Sequence, residues 1–255
     1  MEVHKRKPLV FRTAILAAAI LAAAGIALLT VRLTEQKPDT DEGLKRLQSL
    51  EKADVVRVDQ KIQELEAAER AADEAWANRP PNEKFANALV LGDSITQGLS
   101  EYGVLDAGRV LAQRGAGVVN GNGEEMRNQT ARAKSLAPQV LFLAYGMNDM
   151  KVTDQASFLK AYREMLEDLK ASLPATKICV NSILPVRQQT AQANPAYANI
   201  PQYNEGLRAL CEELEILFID NTDLVKEEYY AGDGIHMSPS YYTDWVNRMA
   251  EVAGL

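Results

Sequence analysis

Five short apolar runs, at 88–91, 109–113, 140–144, 177–182 and 217–219, alternate with amphipathic stretches and limit what this chain can fold into. Helical periodicity appears near 124–137, 155–172 and 203–213. A last helix spans 239–252, with Ser238 at its N-cap and Pro239 at its first position. Strand–helix alternation of this kind predicts a parallel sheet covered by helices on both faces. In such sheets ligands bind outside the carboxyl ends of the strands. The residues that follow each run are therefore the ones to read for chemistry.

The first run passes directly into Gly92-Asp93-Ser94. Glycine permits a sharp turn, so Ser94 emerges at the sheet edge as a helix begins. There, backbone donors and the positive end of the helix dipole favour a nucleophile and an oxyanion. This segment alone fits a helix-capping serine equally well. The third run ends in Gly146-Met147-Asn148-Asp149. An Asn amide can donate to a developing oxyanion, which an ionised carboxylate cannot. An Asx turn closing the strand is the ordinary alternative. Beyond the last run stands Asp233-Gly234-Ile235-His236, and the chain's other histidine, His4, precedes an apolar N-terminal stretch. A carboxylate so close to an imidazole can fix its tautomer and stabilise the imidazolium while the other nitrogen acts as base.

Taken in order, these motifs resemble the SGNH hydrolase superfamily, also called GDSL esterases/lipases, over residues 86–255 or so. Residues 92–96 match its first block, 146–149 its third and 233–236 its last. The resemblance implies a flavodoxin-like α/β/α sandwich around a five-stranded parallel sheet. It also implies Ser94 as nucleophile, His236 as base and Asp233 as the carboxylate that orients it, with no metal or organic cofactor. The oxyanion would be held by the Ser94 N–H, a second-block glycine N–H and the Asn148 side chain. Asp93 and Asp149 would hold their turns. The second block departs from the family pattern: Arg114-Gly115-Ala116-Gly117-Val118 lacks the usual Gly-x-Ser-Gly. Gly117 is the expected donor, and Gly115 the alternative.

The rest of the chain reads as tether. Residues 1–12 are basic, with Lys5, Arg6, Lys7 and Arg12, and 13–31 carry no charge. That length suits a membrane-spanning helix. The charge bias leaves the N-terminus in the cytoplasm and the remainder outside. A cleaved signal peptide, with small residues at Ala22, Ala23 and Ala24, is the rival reading. A linker follows at 32–43, then a helical segment at 44–79. Its a/d-like spacing fits either a coiled-coil stalk that forms a homodimer or a lone helix. Arg79-Pro80-Pro81 ends it, and 82–255 form the hydrolase-like domain. A net charge of −7 excludes nucleic acid as a partner. Cys179 and Cys211 read as buried free thiols, a single disulfide being the alternative.

The segment 185–204, bearing Pro185, Arg187, Tyr197 and Tyr203, follows the fourth strand and reads as a substrate loop. Its polar character suits a glycan or a small polar ester. The expected activity is hydrolysis of short, acetyl-like acyl esters. Acyl transfer onto cell-wall sugars by the same triad, and a non-catalytic stalked binding protein, are the alternatives.

Overall fold

The computed structural model describes residues 21–30, 41–43, 45, 61, 65, 69, 74–76, 78–119 and 123–255. They fall into two units, 1–74 and 75–255. In the first unit every described residue is helical, and 21–30 are exposed. Asp41, Glu42 and Gly43, read from sequence as linker, belong to this helical set. Among the described residues no helix is long and apolar enough to cross a membrane. Residues 13–20 and 31 of the expected span lie outside the described residues, as do 1–12 and most of the 44–79 segment with its heptads.

The second unit contains the sheet, in the order β2-β1-β3-β4-β5 with every pairing parallel. The strands are β1 (Ala88–Gly92), β2 (Val110–Ala112), β3 (Val140–Ala144), β4 (Lys177–Asn181) and β5 (Leu217–Ile219). The helices are α1 (Pro81–Lys84), α2 (Ser94–Glu101), α3 (Gly123–Leu136), α4 (Gln155–Ser172), α5 (Gln188–Ala193), α6 (Ile200–Glu213) and α7 (Pro239–Ala253). β1 and β3 are almost wholly buried along their length. This is why their sequences run as unbroken apolar stretches rather than alternating. Helices α3, α4 and α6 pack side by side, while α7 packs on α1 and α2. Both sets touch the sheet, which gives three layers. On α4 the buried residues Phe158, Tyr162, Met165, Leu166 and Leu169 recur at helical spacing.

Register decides where the strand ends lie. Gly92 pairs with both Ala112 and Ala144, so β1, β2 and β3 finish level with one another. Their following loops must therefore converge. A buried polar network holds the other flank. Asn181 Oδ1 accepts from Trp245 Nε1 at 3.0 Å and from Asn221 Nδ2 at 2.9 Å. The N–H of Asn221 donates to Ser182 Oγ at 2.9 Å. Helix α7 is thereby pinned to the end of β4. Buried bonds of this kind help fix one arrangement, because removing a partner leaves a costly orphan.

Some expectations shift. β2 is shorter than predicted because Arg109 lies in a 3-10 turn, Ala107–Arg109. α6 begins at Ile200 rather than 203, with Pro201 in its first turn, where a missing N–H costs nothing. The expected loop at 185–204 is instead α5, a 3-10 turn at Pro195–Asn199 and the start of α6. Gln and Ala are good helix formers, and Pro195 then interrupts the run. Ser238 does occupy the N-cap of α7, but its hydroxyl contacts Ser240 Oγ at 3.0 Å and makes no capping bond. Cys179 and Cys211 are free and buried, and burial pushes both thiols up to about 12.

Candidate active site

The Gly92-Asp93-Ser94 turn is built for closeness. A Cβ on Gly92 would stand 2.0 Å from Thr96 Oγ1 and 2.6 Å from the Ala144 carbonyl, so only glycine fits. Asp93, not Ser94, is the N-cap of α2, its Oδ1 accepting the Ile95 N–H at 2.9 Å. The capping alternative for Ser94 is thereby overturned: a residue already relieves the helix end. Ser94 becomes the first helical residue, whose N–H has no acceptor within the helix. Its Oγ lies 2.8 Å from Nε2 of His236, 142 positions away in sequence.

Nδ1 of His236 in turn meets Asp233 Oδ2 at 2.5 Å. The other oxygen of Asp233 accepts the N–H groups of Ile235 and His236, each at 2.9 Å. Partial burial by itself would raise this carboxyl. The hydrogen bonds from the imidazole and the two N–H groups outweigh it and hold the carboxyl down at about 2. Asp233 is thus a carboxylate throughout the neutral range. The loop bearing this pair is closed by an antiparallel bridge between Tyr230 and Met237 and by the Ala231 N–H donating to the His236 carbonyl at 2.8 Å.

The loop after β2 supplies the third wall. Gly115 adopts φ +80°, a left-handed turn that glycine takes without strain. Asp149, fully buried, accepts the N–H of Val118 at 3.1 Å and that of Val119 at 2.9 Å. The N–H of Gly117 donates to no acceptor among the described residues. The Asn148 side chain donates to the Ala116 carbonyl at 3.0 Å and reaches Asp93 Oδ2 at 3.4 Å. It therefore does not fold back as an Asx turn; the Asp149 N–H closes that turn on the Gly146 carbonyl at 3.0 Å. Asp93, buried among these groups, is raised to about 6, chiefly by desolvation. The N–H groups of Ile95 and Thr96 and the His236 charge pull the other way.

Two residues at this centre carry no motif. Gln129, buried on α3, donates from Nε2 to the Gly92 carbonyl at 3.1 Å, and the Tyr145 hydroxyl donates to its Oε1. One signal was readable: Gln129 is a polar residue on the stripe formed by Met126, Thr130 and Ala133. The 185–204 residues fare differently. Pro185 and Tyr197 line a cavity of about 470 Å³ with Asn204, Arg208 and Asp220, and none of Ser94, Asp233 or His236 lines it. Tyr197 and Tyr203 are buried, the Tyr203 hydroxyl donating to the Thr153 carbonyl at 2.7 Å. Arg187 turns onto the Asp233 loop. Within the segment Thr190 bonds the Asp233 carbonyl and buried Asn204 bonds the backbone of Ile183.

The sequence model of the GDSL-like lipase/acylhydrolase family matches residues 90–243. Compared by sequence with curated proteins, the chain finds no match. Among solved structures, a GDSL-like lipase from Bacteroides thetaiotaomicron aligns at 18% identity and TM-score 0.50, covering 73% of this chain and 94% of that one. A carbohydrate esterase family 3 protein from Talaromyces cellulolyticus aligns at 16% identity and TM-score 0.50, covering 66% and 98%. At these identities the likeness is one of fold.

Proposed function

The chain belongs to the GDSL-like lipase/acylhydrolase family of hydrolases, and on that premise we propose that it is a serine esterase with Ser94 as nucleophile, acting on short acyl groups. The observation that carries this reading is the unbroken hydrogen-bond run from Ser94 Oγ through His236 to Asp233. In the reaction, Ser94 Oγ bonds to the ester carbonyl carbon while its proton passes to His236 Nε2. The carbonyl electron pair moves onto oxygen, where the N–H groups of Ser94 and Gly117 and the Asn148 amide receive it. Collapse expels the alcohol, which takes the proton back from His236. Water then repeats the sequence on the acyl-enzyme and frees the acid. Asp233, held as a carboxylate, keeps His236 in the tautomer that presents a bare Nε2 to the serine.

A short, acetyl-like acyl group is the one we favour, and the acyl-length series below tests it. A glycan or other polar alcohol is the leaving group we favour, in keeping with a domain carried outside the cell on a 13–31 anchor. Protease accessibility of the domain in intact cells tests the anchor's direction. For the activity, the measurement is fluorophosphonate labelling of the full chain beside aryl esters of increasing acyl length. Ser94→Ala is expected to stay folded, lose the label and lose about a millionfold in kcat. A wild-type chain that neither labels nor turns over acetyl esters refutes the reading.

A further inference from the structure

The catalytic pair stands on a solvent-facing loop, with about half of the Asp233 side chain and 39% of that of His236 exposed. Core packing therefore does little to fix them. A second segment grips the loop instead. The Arg187 N–H donates to the Gly234 carbonyl at 2.8 Å, and its Nη1 reaches the Ala231 carbonyl at 3.5 Å. The same guanidinium pairs with Glu227 at 2.8 Å and lies over the Tyr230 ring at 5.2 Å. One turn further on, Thr190 Oγ1 donates to the carbonyl of Asp233 itself at 3.2 Å. From the other direction, the Tyr230 hydroxyl donates to the Pro185 carbonyl at 3.1 Å. Gly234 sits against this clasp so tightly that a Cβ there would stand 2.4 Å from Thr190 Oγ1 and 2.8 Å from Arg187 Cβ.

We propose that Arg187 and Thr190 are positioning residues for the reaction, holding the Asp233–His236 loop at the height where Nε2 meets Ser94. The proposal rests on the serine-esterase reading above. Its physical basis is that a misplacement of the order of 1 Å in a catalytic group costs up to about a hundredfold in rate. Arg187 grips the loop through its backbone N–H on the Gly234 carbonyl and through a guanidinium that reaches the Ala231 carbonyl, pairs with Glu227 and lies over Tyr230. Thr190 sets the carbonyl of the catalytic carboxylate's own residue.

The test uses the full chain and an acetyl aryl ester, with fluorophosphonate labelling rates alongside. Arg187→Met is expected to lower kcat and the labelling rate by about tenfold to a hundredfold with KM unchanged. Thr190→Val, which removes the hydroxyl at constant shape, is expected to cost about fivefold in kcat. Thr190→Ser restores the hydroxyl and is expected to return kcat to the wild-type value, which a packing role would not. In an Asp233→Asn background the Arg187→Met effect is expected to vanish, since both changes act through one unit. Wild-type kcat in both Arg187→Met and Thr190→Val, or full additivity with Asp233→Asn, overturns the proposal while the esterase reading stands. A wild-type chain without label or turnover overturns both.

Discussion

The side-chain amide of Asn148 reaches the carboxylate of Asp93 at 3.4 Å, so the end of β3 is tied to the turn that presents Ser94. That contact is long, and the amide's firmer bond is to the Ala116 carbonyl at 3.0 Å. One proton of Nδ2 thus fixes the side chain, and the weakly engaged second is the one the proposed mechanism assigns to the oxyanion. Asn148→Ala is expected to lower kcat by roughly a hundredfold to a thousandfold with little change in KM, read from steady-state kinetics on an acetyl ester.

Asp93 makes stability depend on pH in an unusual direction for a carboxylate. Its folded-state value of about 6 lies above its ordinary value of 3.8. The folded chain therefore binds the proton more tightly, and the associated stability is complete below pH 4 and lost as pH rises through 6. The full effect is about 3 kcal/mol. Denaturant unfolding between pH 4 and 8 is expected to show wild type losing that stability relative to Asp93→Asn, which has no proton to release. A pH-independent difference between the two chains would contradict it. Asp233 behaves oppositely: depressed to about 2, it contributes stability above pH 4 that is lost only as pH falls toward 2.

Asp149 is fully buried and spans from β3 to the N–H groups of Val118 and Val119. Asp149→Ala removes the acceptor from the buried Val118 N–H and from the partly buried Val119 N–H. The expected cost is about 3 kcal/mol in thermal or denaturant unfolding. The loop bearing Gly117 is released with them, so the residual folded protein is expected to turn over ester far more slowly than wild type.

Gly234 adopts φ +70° inside the Asp233–His236 loop. Gly234→Ala brings the left-handed penalty of roughly 1–2 kcal/mol and a clash with Thr190. The loop lies outside the core, so calorimetry is expected to show a modest fall in Tm. Fluorophosphonate labelling at Ser94 is expected to fall by more than tenfold, as the loop shifts away. Unaltered labelling would show that the loop's position tolerates the added methyl group.

What the linear chain determined is the layered fold and the motifs from which the proposed reactive groups are taken. Apolar runs long enough for one strand, separated by helical periods, admit little besides a covered parallel sheet, while Ser94, Asn148, Asp233 and His236 stand out through their resemblance to a family pattern. Tertiary structure alone decided how those residues are used. Whether Ser94 caps a helix or faces an imidazole depended on Asp93 taking the cap, which the local sequence allows either residue to do. The roles of Gln129, Arg187 and Thr190 were equally hidden, since each acts through hydrogen bonds to backbone carbonyls. A carbonyl accepts whatever side chain the register brings to it, so such a contact leaves no residue-type pattern in the chain. The 185–204 residues show the same limit from the other side. Their polarity was legible, but only packing determined that Arg187 and Thr190 face the Asp233 loop and that Tyr203 and Asn204 face the protein's own backbone.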